Sequence, residues 1–110
     1  MSDGIKDPQQ LTERLINAGE KWADLNAAAV ALEESKDVVQ AQILAEHFDQ
    51  PEWKAKALAR KDPRFQQHIQ QMVEARKAAN RARVRYDGGK AFVELARSAE
   101  STRRAEMNLR

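Results

Sequence analysis

The sequence lacks the residue types on which several protein classes depend. It has no cysteine, which excludes a disulfide framework, a thiolate metal site and a cysteine nucleophile. Aromatic residues make up only 5% of the chain, too few for a β-sandwich core or for a platform of stacked bases. No apolar run approaches the length of a membrane span, and the first residues lack the apolar stretch of a signal peptide. We therefore expect a cytoplasmic protein without membrane association.

The residues that are abundant favour helices. Ala, Leu, Glu, Lys and Arg account for 56 of the 110 residues, and prolines and glycines number three and four. This composition is typical of long helices and coiled coils. The length fits one domain, so we predict a single all-α domain over residues 1–110.

Apolar or small residues recur at alternating steps of four and three along the first half of the chain. These nine positions are Leu11, Leu15, Ala18, Trp22, Leu25, Ala29 and Leu32 and, where the pattern resumes, Val39 and Ile43. They are called the α1 seam below, after the first helix of the chain, α1. This is the heptad pattern of helices that pack along their length. Asp7-Pro8 can begin such a helix, with Asp as the cap and Pro at the first helical position. We predict a long helix over about 8–47.

The second half of the chain repeats the same signals. Asp62-Pro63 is a second helix start, and an apolar stripe predicts a long helix over about 63–107. The stripe is Phe65, Ile69, Met72, Ala79, Tyr86, Val93 and Ala96. We expect this helix to continue, straight or kinked, through Gly88-Gly89. Between the two long helices, Asp49 or Gln50 can cap a short helix over about 51–60, with Pro51 inside it. The predicted fold is an antiparallel helical hairpin, or coiled coil, with a short connecting helix.

Several apolar residues lie off both stripes, and they favour self-association. They are Val30, Val38, Leu44, Val84 and Phe92. A hairpin that must bury a second stripe usually forms a bundle, so we expect a homo-oligomer, preferably a dimer. The candidate oligomer or partner interface is Leu15, Trp22, Leu25, Leu32, Val39, Ile43, Trp53 and Tyr86. Trp53 has two interpretations, a plug over the end of the bundle or an anchor for a partner.

Charge is divided unequally along the chain. Residues 1–53 carry a net charge of −7, and residues 54–110 carry +9. Basic residues spaced by seven form a ridge on the second helix, at Arg76, Arg83, Lys90, Arg97 and Arg104. The candidate nucleic-acid-binding residues are Arg76, Lys77, Arg81, Arg83, Arg85 and Lys90. They would contact phosphates independently of base sequence. The alternative is that these arginines pair with the acidic first helix.

Signals for catalysis or metal binding are few. His47 and His68 lack the spacing that places two ligands on one helical face. The acidic cluster Glu33, Glu34 and Asp37 is also typical of an exposed coiled-coil face. We therefore predict no enzyme activity, no metal, no cofactor and no small-molecule substrate.

The C-terminal half carries a family resemblance. Its motifs are Arg81-Ala-Arg-Val-Arg-Tyr86, Ala91-Phe-Val-Glu-Leu-Ala-Arg97 and Glu100-Ser-Thr-Arg-Arg-Ala-Glu-Met107, with Asp62-Pro-Arg-Phe65 upstream. Over residues 55–107 the chain resembles small helical proteins of tailed phages and prophages, which are encoded near recombination and replication genes. It departs from them at Gly88-Gly89. The resemblance implies an accessory factor that acts on DNA or on a recombination or replication protein. The alternative is a structural or adaptor coiled coil without nucleic-acid contact.

Overall fold

The computed structural model describes residues 7–109, which form four α-helices and no strand. The helices are α1 (Pro8–Glu34), α2 (Lys36–Ala45), α3 (Glu52–Lys61) and α4 (Pro63–Asn108). They divide into two compact units, and α1 and α4 each contribute to both. Unit 1 takes in the chain as far as Trp22 and again from Arg81 onward, and unit 2 is Ala23–Asn80. The all-α class is confirmed, while the assignment of a single domain stays a prediction.

Both long helices begin at the Asp-Pro pairs, as predicted. The backbone N–H of Gln9 donates to Asp7 Oδ1 at 2.9 Å, and that of Arg64 donates to Asp62 Oδ1 at 2.8 Å. Each aspartate thus satisfies an amide that has no partner inside the helix. Proline follows as the first helical residue, where its missing N–H costs nothing.

The first helical segment is shorter than predicted and is interrupted once. The prediction was a continuous helix over about 8–47, but α1 ends at Glu34, and α2 runs only from Lys36 to Ala45. Ser35 Oγ donates to the carbonyl of Leu32 at 3.1 Å, and Nε2 of His68 lies 2.8 Å from the same oxygen. Serine favours such bonds to nearby backbone groups, which compete with helix continuation. The interruption therefore coincides with a side-chain cluster that heptad spacing does not reveal.

The connecting helix is close to its predicted position but begins differently. α3 starts at Glu52, and Pro51 is its N-cap instead of lying inside it. No side chain caps this helix, so the expectation that Asp49 or Gln50 would do so is wrong. The carbonyl of Pro51 accepts from the amides of Lys54 and Ala55, at 3.0 and 2.9 Å.

Unit 2 is an antiparallel helical hairpin that contains a buried apolar cluster. Arg76 bonds to Asn26, and His68 lies beside Ser35, so α4 runs opposite to α1. Ile43, Ala59 and Phe65 form the buried cluster, and Val39, Leu44 and Ile69 pack against it. The core thus joins α2, α3 and the start of α4.

Unit 1 is built from the first part of α1 and the last part of α4, which also run antiparallel. The rings of Trp22 and Tyr86 stack with centroids 6.0 Å apart and an interplanar angle of 15°. A Cβ placed at Gly19 would lie 3.0 Å from Tyr86 Cε1, so the glycine makes room for the ring. Leu15 packs against Gly89 in the same way, since a Cβ there would lie 3.2 Å from Leu15 Cδ1.

The predicted seams largely coincide with the buried faces. All nine α1-seam positions are buried or half-buried, including the two in α2. On α4, Phe65, Ala79, Tyr86 and Val93 are buried or half-buried, whereas Ala96 is exposed. His68, Ala82 and Gly89 also lie at buried or half-buried positions, although the predicted stripe did not include them. α4 runs through Gly88-Gly89 without interruption, as expected.

Candidate nucleic-acid interface

The first two predicted basic residues lie in unit 2, and one of them is fully engaged inside the chain. Arg76 donates through Nε and Nη2 to the carboxylate of Glu33, at 2.9 and 2.8 Å, and through Nη1 to Asn26 Oδ1 at 2.8 Å. This fork raises the pKa of Arg76 and lowers that of Glu33. Lys77 is more exposed, and its Nζ lies 3.9 Å from Glu74. Arg76 therefore serves the pairing of α4 with α1.

Two further members of the predicted set lie in unit 1 and share one carboxylate. Arg83 Nε is 3.7 Å from Asp87 Oδ2, and Lys90 Nζ is 3.4 Å from Asp87 Oδ1. The same Lys90 Nζ lies 4.7 Å from the centroid of the Tyr86 ring, within cation–π range. These side chains are more than half exposed, and exposed pairs of this length contribute little to stability. Both cations therefore remain accessible to an outside anion.

Arg81 and Arg85 differ from the rest of the predicted set. Within residues 7–109, neither has a carboxylate within 4.0 Å, and both are exposed. They are four residues apart on one helix, so their side chains are neighbours on the same face, about 6 Å apart along the axis. We call these two residues the arginine pair. It is the part of the predicted nucleic-acid-binding set whose charge is not neutralised by a carboxylate of the described chain.

A third cation, Arg14, lines a shallow cavity in unit 1 together with Arg85 of the arginine pair. The cavity has a volume of about 260 Å³ and a mainly apolar floor. Its lining residues are Leu11, Arg14, Leu15, Ala18, Arg85, Gly89, Phe92 and Val93. Arg14 has no carboxylate within 4.0 Å in the described part of the chain. Sequence reasoning missed Arg14, because a lone arginine in an acidic segment carries no pattern.

Arg64 forms an ion-pair cluster with two carboxylates at the start of α4. Arg64 donates to both carboxylate oxygens of Glu46, at 2.7 and 2.8 Å, and to Asp62 at 2.9 and 3.1 Å. The guanidinium and the backbone N–H of Arg64 lower the pKa of Asp62 to about 2. The same guanidinium lowers the pKa of Glu46. These contacts join the start of α4 to the residue that follows α2.

The predicted oligomer residues mostly contact one another inside the chain. Leu15, Trp22 and Tyr86 pack within unit 1, and Val39 and Ile43 belong to the core of unit 2. Leu25 and Leu32 are half-buried on the same seam. Their predicted role in an interface between chains stays a prediction.

The position of Trp53 contradicts one of its two interpretations. Its side chain is 73% exposed on α3, so it does not cover the end of the helices of its own chain. The interpretation as a plug is therefore wrong for the single chain. The physical reason is that Ala55 and Ala59 occupy the inner face of α3, which turns residue 53 outward. The interpretation as an anchor for a partner remains open.

The described residues hold no group of three or more His, Asp or Glu side chains placed to bind a metal ion. Of the two histidines, His68 is buried and hydrogen-bonded to the Leu32 carbonyl. Because a carbonyl oxygen can only accept, Nε2 of His68 carries the proton of this bond. None of the four helices offers, within the described part of the chain, an apolar stretch sufficient for a bilayer crossing.

Fold and site together define an all-α protein of antiparallel helices with an exposed basic face on α4. Comparison with protein-family models, with curated proteins and with solved structures finds no match in any of the three. The resemblance to small helical phage proteins therefore stays a prediction.

Proposed function

We propose that this protein is a non-catalytic accessory protein of phage or prophage DNA recombination or replication, which acts in the cytoplasm and binds DNA through the basic face of α4. The observation that carries the proposal is the arginine pair, Arg81 and Arg85, which has no carboxylate within 4.0 Å among residues 7–109. Guanidinium groups left free on a helix face suit bidentate contacts to phosphate oxygens.

The contact is to the DNA backbone and not to base edges. Arg83 and Lys90, loosely held by Asp87, can exchange that carboxylate for a phosphate. Arg76 is outside the proposed interface, because three of its N–H donors bond to Glu33 and Asn26 and Glu33 neutralises its charge. Binding of this kind releases counterions and depends steeply on salt. A recombination or replication protein with an acidic surface is the other partner that this basic face suits.

The test is the salt dependence of binding to labelled duplex DNA, measured by fluorescence anisotropy. Changing Arg81 and Arg85 to Gln removes two phosphate contacts, so the slope of log K against log salt becomes shallower by roughly 2. The matched control changes Arg97 and Arg104 to Gln, because this removes the same charge from α4 at positions outside the predicted nucleic-acid-binding set, where Glu94 and Glu100 each lie 3.6 Å from the guanidinium. Equal effects of the two double variants, or no retention of DNA by the wild type at low salt, would contradict the proposal.

A second candidate function, a structural or adaptor coiled coil, is favoured by the outer face of α4 in unit 1. Val84 and Leu95 are 71% and 70% exposed, and the exposed residues Gly88 and Ala91 lie between them at steps of four, three and four. Two copies of this stripe are complementary in an antiparallel pair, because Val84 then faces Leu95 of the second copy, and the small residues meet at the centre. The occupant that we propose for this stripe is therefore a second copy of the chain.

The oligomer is tested by measuring the mass in solution over a range of protein concentrations. We expect a dimer of the 12.5 kDa chain, and we expect Val84→Glu with Leu95→Glu to produce a monomer of unchanged helix content. The control is Val38→Glu, since Val38 is 55% exposed but lies on α2, away from this stripe. A monomeric wild type, or a dimer that survives both charges on the stripe, would reject this interface.

A further inference from the structure

A second surface of the protein, on unit 2, has an exposed aromatic ring surrounded by cations. Trp53 projects from α3, which carries Lys54, Lys56, Arg60 and Lys61 and a single carboxylate, Glu52. We propose that this surface binds single-stranded nucleic acid, with one base stacked on the indole of Trp53 and the phosphates held by the lysines and arginine around it. The inference rests on the proposed function in that it names single strands as a form of nucleic acid that the protein binds.

The orientation of α3 follows from its buried alanines. Ala55 is 6% and Ala59 is 0% exposed, so these two residues define the inner face of the helix. Trp53 and Arg60 lie seven residues apart on the opposite face, about 10 Å apart along the axis. The indole and the guanidinium therefore share one outward surface.

The cations on this surface are largely free. Lys56 is paired with Glu52 at 2.9 Å, which uses the only carboxylate of the helix. Lys54, Arg60 and Lys61 have no carboxylate within 4.0 Å in the part of the chain that the structure describes. A short helix thus presents three unneutralised positive charges around one exposed ring.

This combination matches the chemistry of a single strand. An unpaired base offers a π-face to an aromatic side chain, and the phosphates on either side of it seek positive charge. In a duplex both faces of a base are already stacked, so an exposed indole gains nothing there. Phe48 adds a second exposed ring, 88% accessible, in the segment that precedes α3.

A lipid surface suits the same residues less well. Binding at a membrane interface grows with the apolar area that a helix can insert. The other exposed large apolar side chain of α3 is Leu58, which is only 36% exposed, whereas Trp53 is 73% exposed and stands among cations. Aromatic rings among cations, with little exposed aliphatic area on α3, suit a stacked base better than insertion among acyl chains.

The test uses the intrinsic fluorescence of the two tryptophans and an oligothymidylate as the probe. Trp22 is half-buried and stacked on Tyr86, so Trp53 is the more accessible reporter. We expect oligothymidylate to quench the emission of the wild type and of Trp22→Phe, and to leave that of Trp53→Phe almost unchanged. Equal quenching in the two single variants would overturn the proposal, as would a strong response to vesicles of phosphatidylserine with none to the oligonucleotide.

Affinity measurements separate stacking from charge. Trp53→Ala should weaken oligothymidylate binding about tenfold, with little effect on a duplex, whereas Trp53→Phe retains most of the affinity. Val73→Ala, which truncates another exposed apolar side chain of unit 2, serves as the control and should leave the affinity unchanged. A loss that is the same for duplex and single strand in Trp53→Ala would reject stacking.

The experiments can reject either of the two proposed DNA-binding surfaces without rejecting the other. If Arg81→Gln with Arg85→Gln has no effect on duplex binding while Trp53→Ala weakens single-strand binding, the basic face of α4 is wrong, and the Trp53 surface stands. The opposite result is also possible: Arg81→Gln with Arg85→Gln makes the salt slope shallower, while the Trp53 variants change neither the quenching by oligothymidylate nor the affinity for it. In that case the proposed function stands, and this inference is wrong.

Discussion

At the residue scale, glycines in the helices have two different environments. Gly19, Gly88 and Gly89 all lie inside α-helices, and none of the described glycines has a positive φ. Gly19 sits against Tyr86 and Gly89 against Leu15, whereas a Cβ at Gly88 would meet nothing within 4 Å. Only the first two are therefore required by close approach of the two helices.

This difference predicts opposite results for two alanine substitutions. Gly88→Ala should raise the free energy of unfolding by up to about 1 kcal/mol, because alanine has the higher helix propensity. Gly19→Ala carries the same propensity gain but pushes on a ring that Trp22 holds in place, so it should destabilise. Urea denaturation at several protein concentrations measures both and separates any effect on self-association. If Gly19→Ala raised the free energy of unfolding as much as Gly88→Ala does, the close contact between Gly19 and Tyr86 would be disproved.

Basic residues also differ at this scale, although the sequence presents them as one series. Arg76 has three donors engaged across the helix pair, and Arg81 has no carboxylate partner among the described residues. Which arginine is neutralised depends on the carboxylate that the facing helix brings opposite it. A spacing of seven predicts that the residues share one helix face, but it does not predict which side chain of the facing helix lies opposite each of them.

At the element scale, the start of α4 combines a cap with an ion-pair cluster. Asp62 caps the helix through the backbone N–H of Arg64, and the Arg64 side chain joins Asp62 to Glu46. A carboxylate that accepts several hydrogen bonds from a guanidinium and an amide is stabilised in its charged form. The cluster therefore couples helix initiation to pH.

The sign of this coupling follows from the lowered pKa of Asp62, which falls from 3.8 to about 2 in the folded chain. The ionised carboxylate contributes its full stability above pH 3.8, and this contribution is lost as the pH falls toward about 2. We expect the melting temperature of the wild type to drop more steeply over this interval than that of Asp62→Asn, which keeps a capping side chain. Asp49→Asn, at a carboxylate without an ion pair in the described chain, is the control and should follow the wild type. Parallel pH curves for the wild type and Asp62→Asn would contradict this assignment.

The interruption between α1 and α2 shows what heptad spacing omits at this scale. The α1-seam positions remain buried on both sides of Ser35, so the apolar pattern passes through a point where the helix stops. A polar group of another element, His68 on α4, meets the Leu32 carbonyl there. Such a contact is long-range in sequence and leaves no periodic trace.

At the scale of the whole molecule, burial is unevenly distributed between the two ends of α4. The first residues of the helix join the core of unit 2 through Phe65 and Ile69. From Glu94 to Leu109 every residue except Glu100 is exposed. Helical stability in proteins comes mainly from a packed face, so the last turns of α4 are held weakly in the single chain.

Hydrogen exchange should reveal this gradient. We expect backbone amides between Phe65 and Ala79 to exchange slowly, near the rate of global unfolding, and those after Glu94 to exchange faster by orders of magnitude. Exchange followed by mass spectrometry of peptides measures both segments of α4 in one experiment. A dilution series shows whether self-association protects the amides after Glu94. Uniform protection along α4 at the lowest concentrations would refute this account.

The opposite charges of the two halves of the chain neutralise each other only in part. Acidic α1 and basic α4 lie side by side in antiparallel order, and Glu33 with Arg76 is an ion pair between them. Most remaining pairs of α4 join residues three or four apart on the same helix. Neutralisation between the two helices is therefore incomplete, and the arginine pair has no carboxylate within 4.0 Å in the described part of the chain.

The amino-acid sequence by itself determined the all-α class, the two Asp-Pro helix starts and nearly all of the α1 seam. These features depend on caps and on a period of 3.5 residues, and both are local properties of the chain. Only the tertiary structure decided that Arg76 is engaged while Arg81 and Arg85 are not, that the first helix stops at Ser35, and that Trp53 faces outward. Each of these depends on which side chain a second element brings opposite the first, and residues distant in sequence set that register.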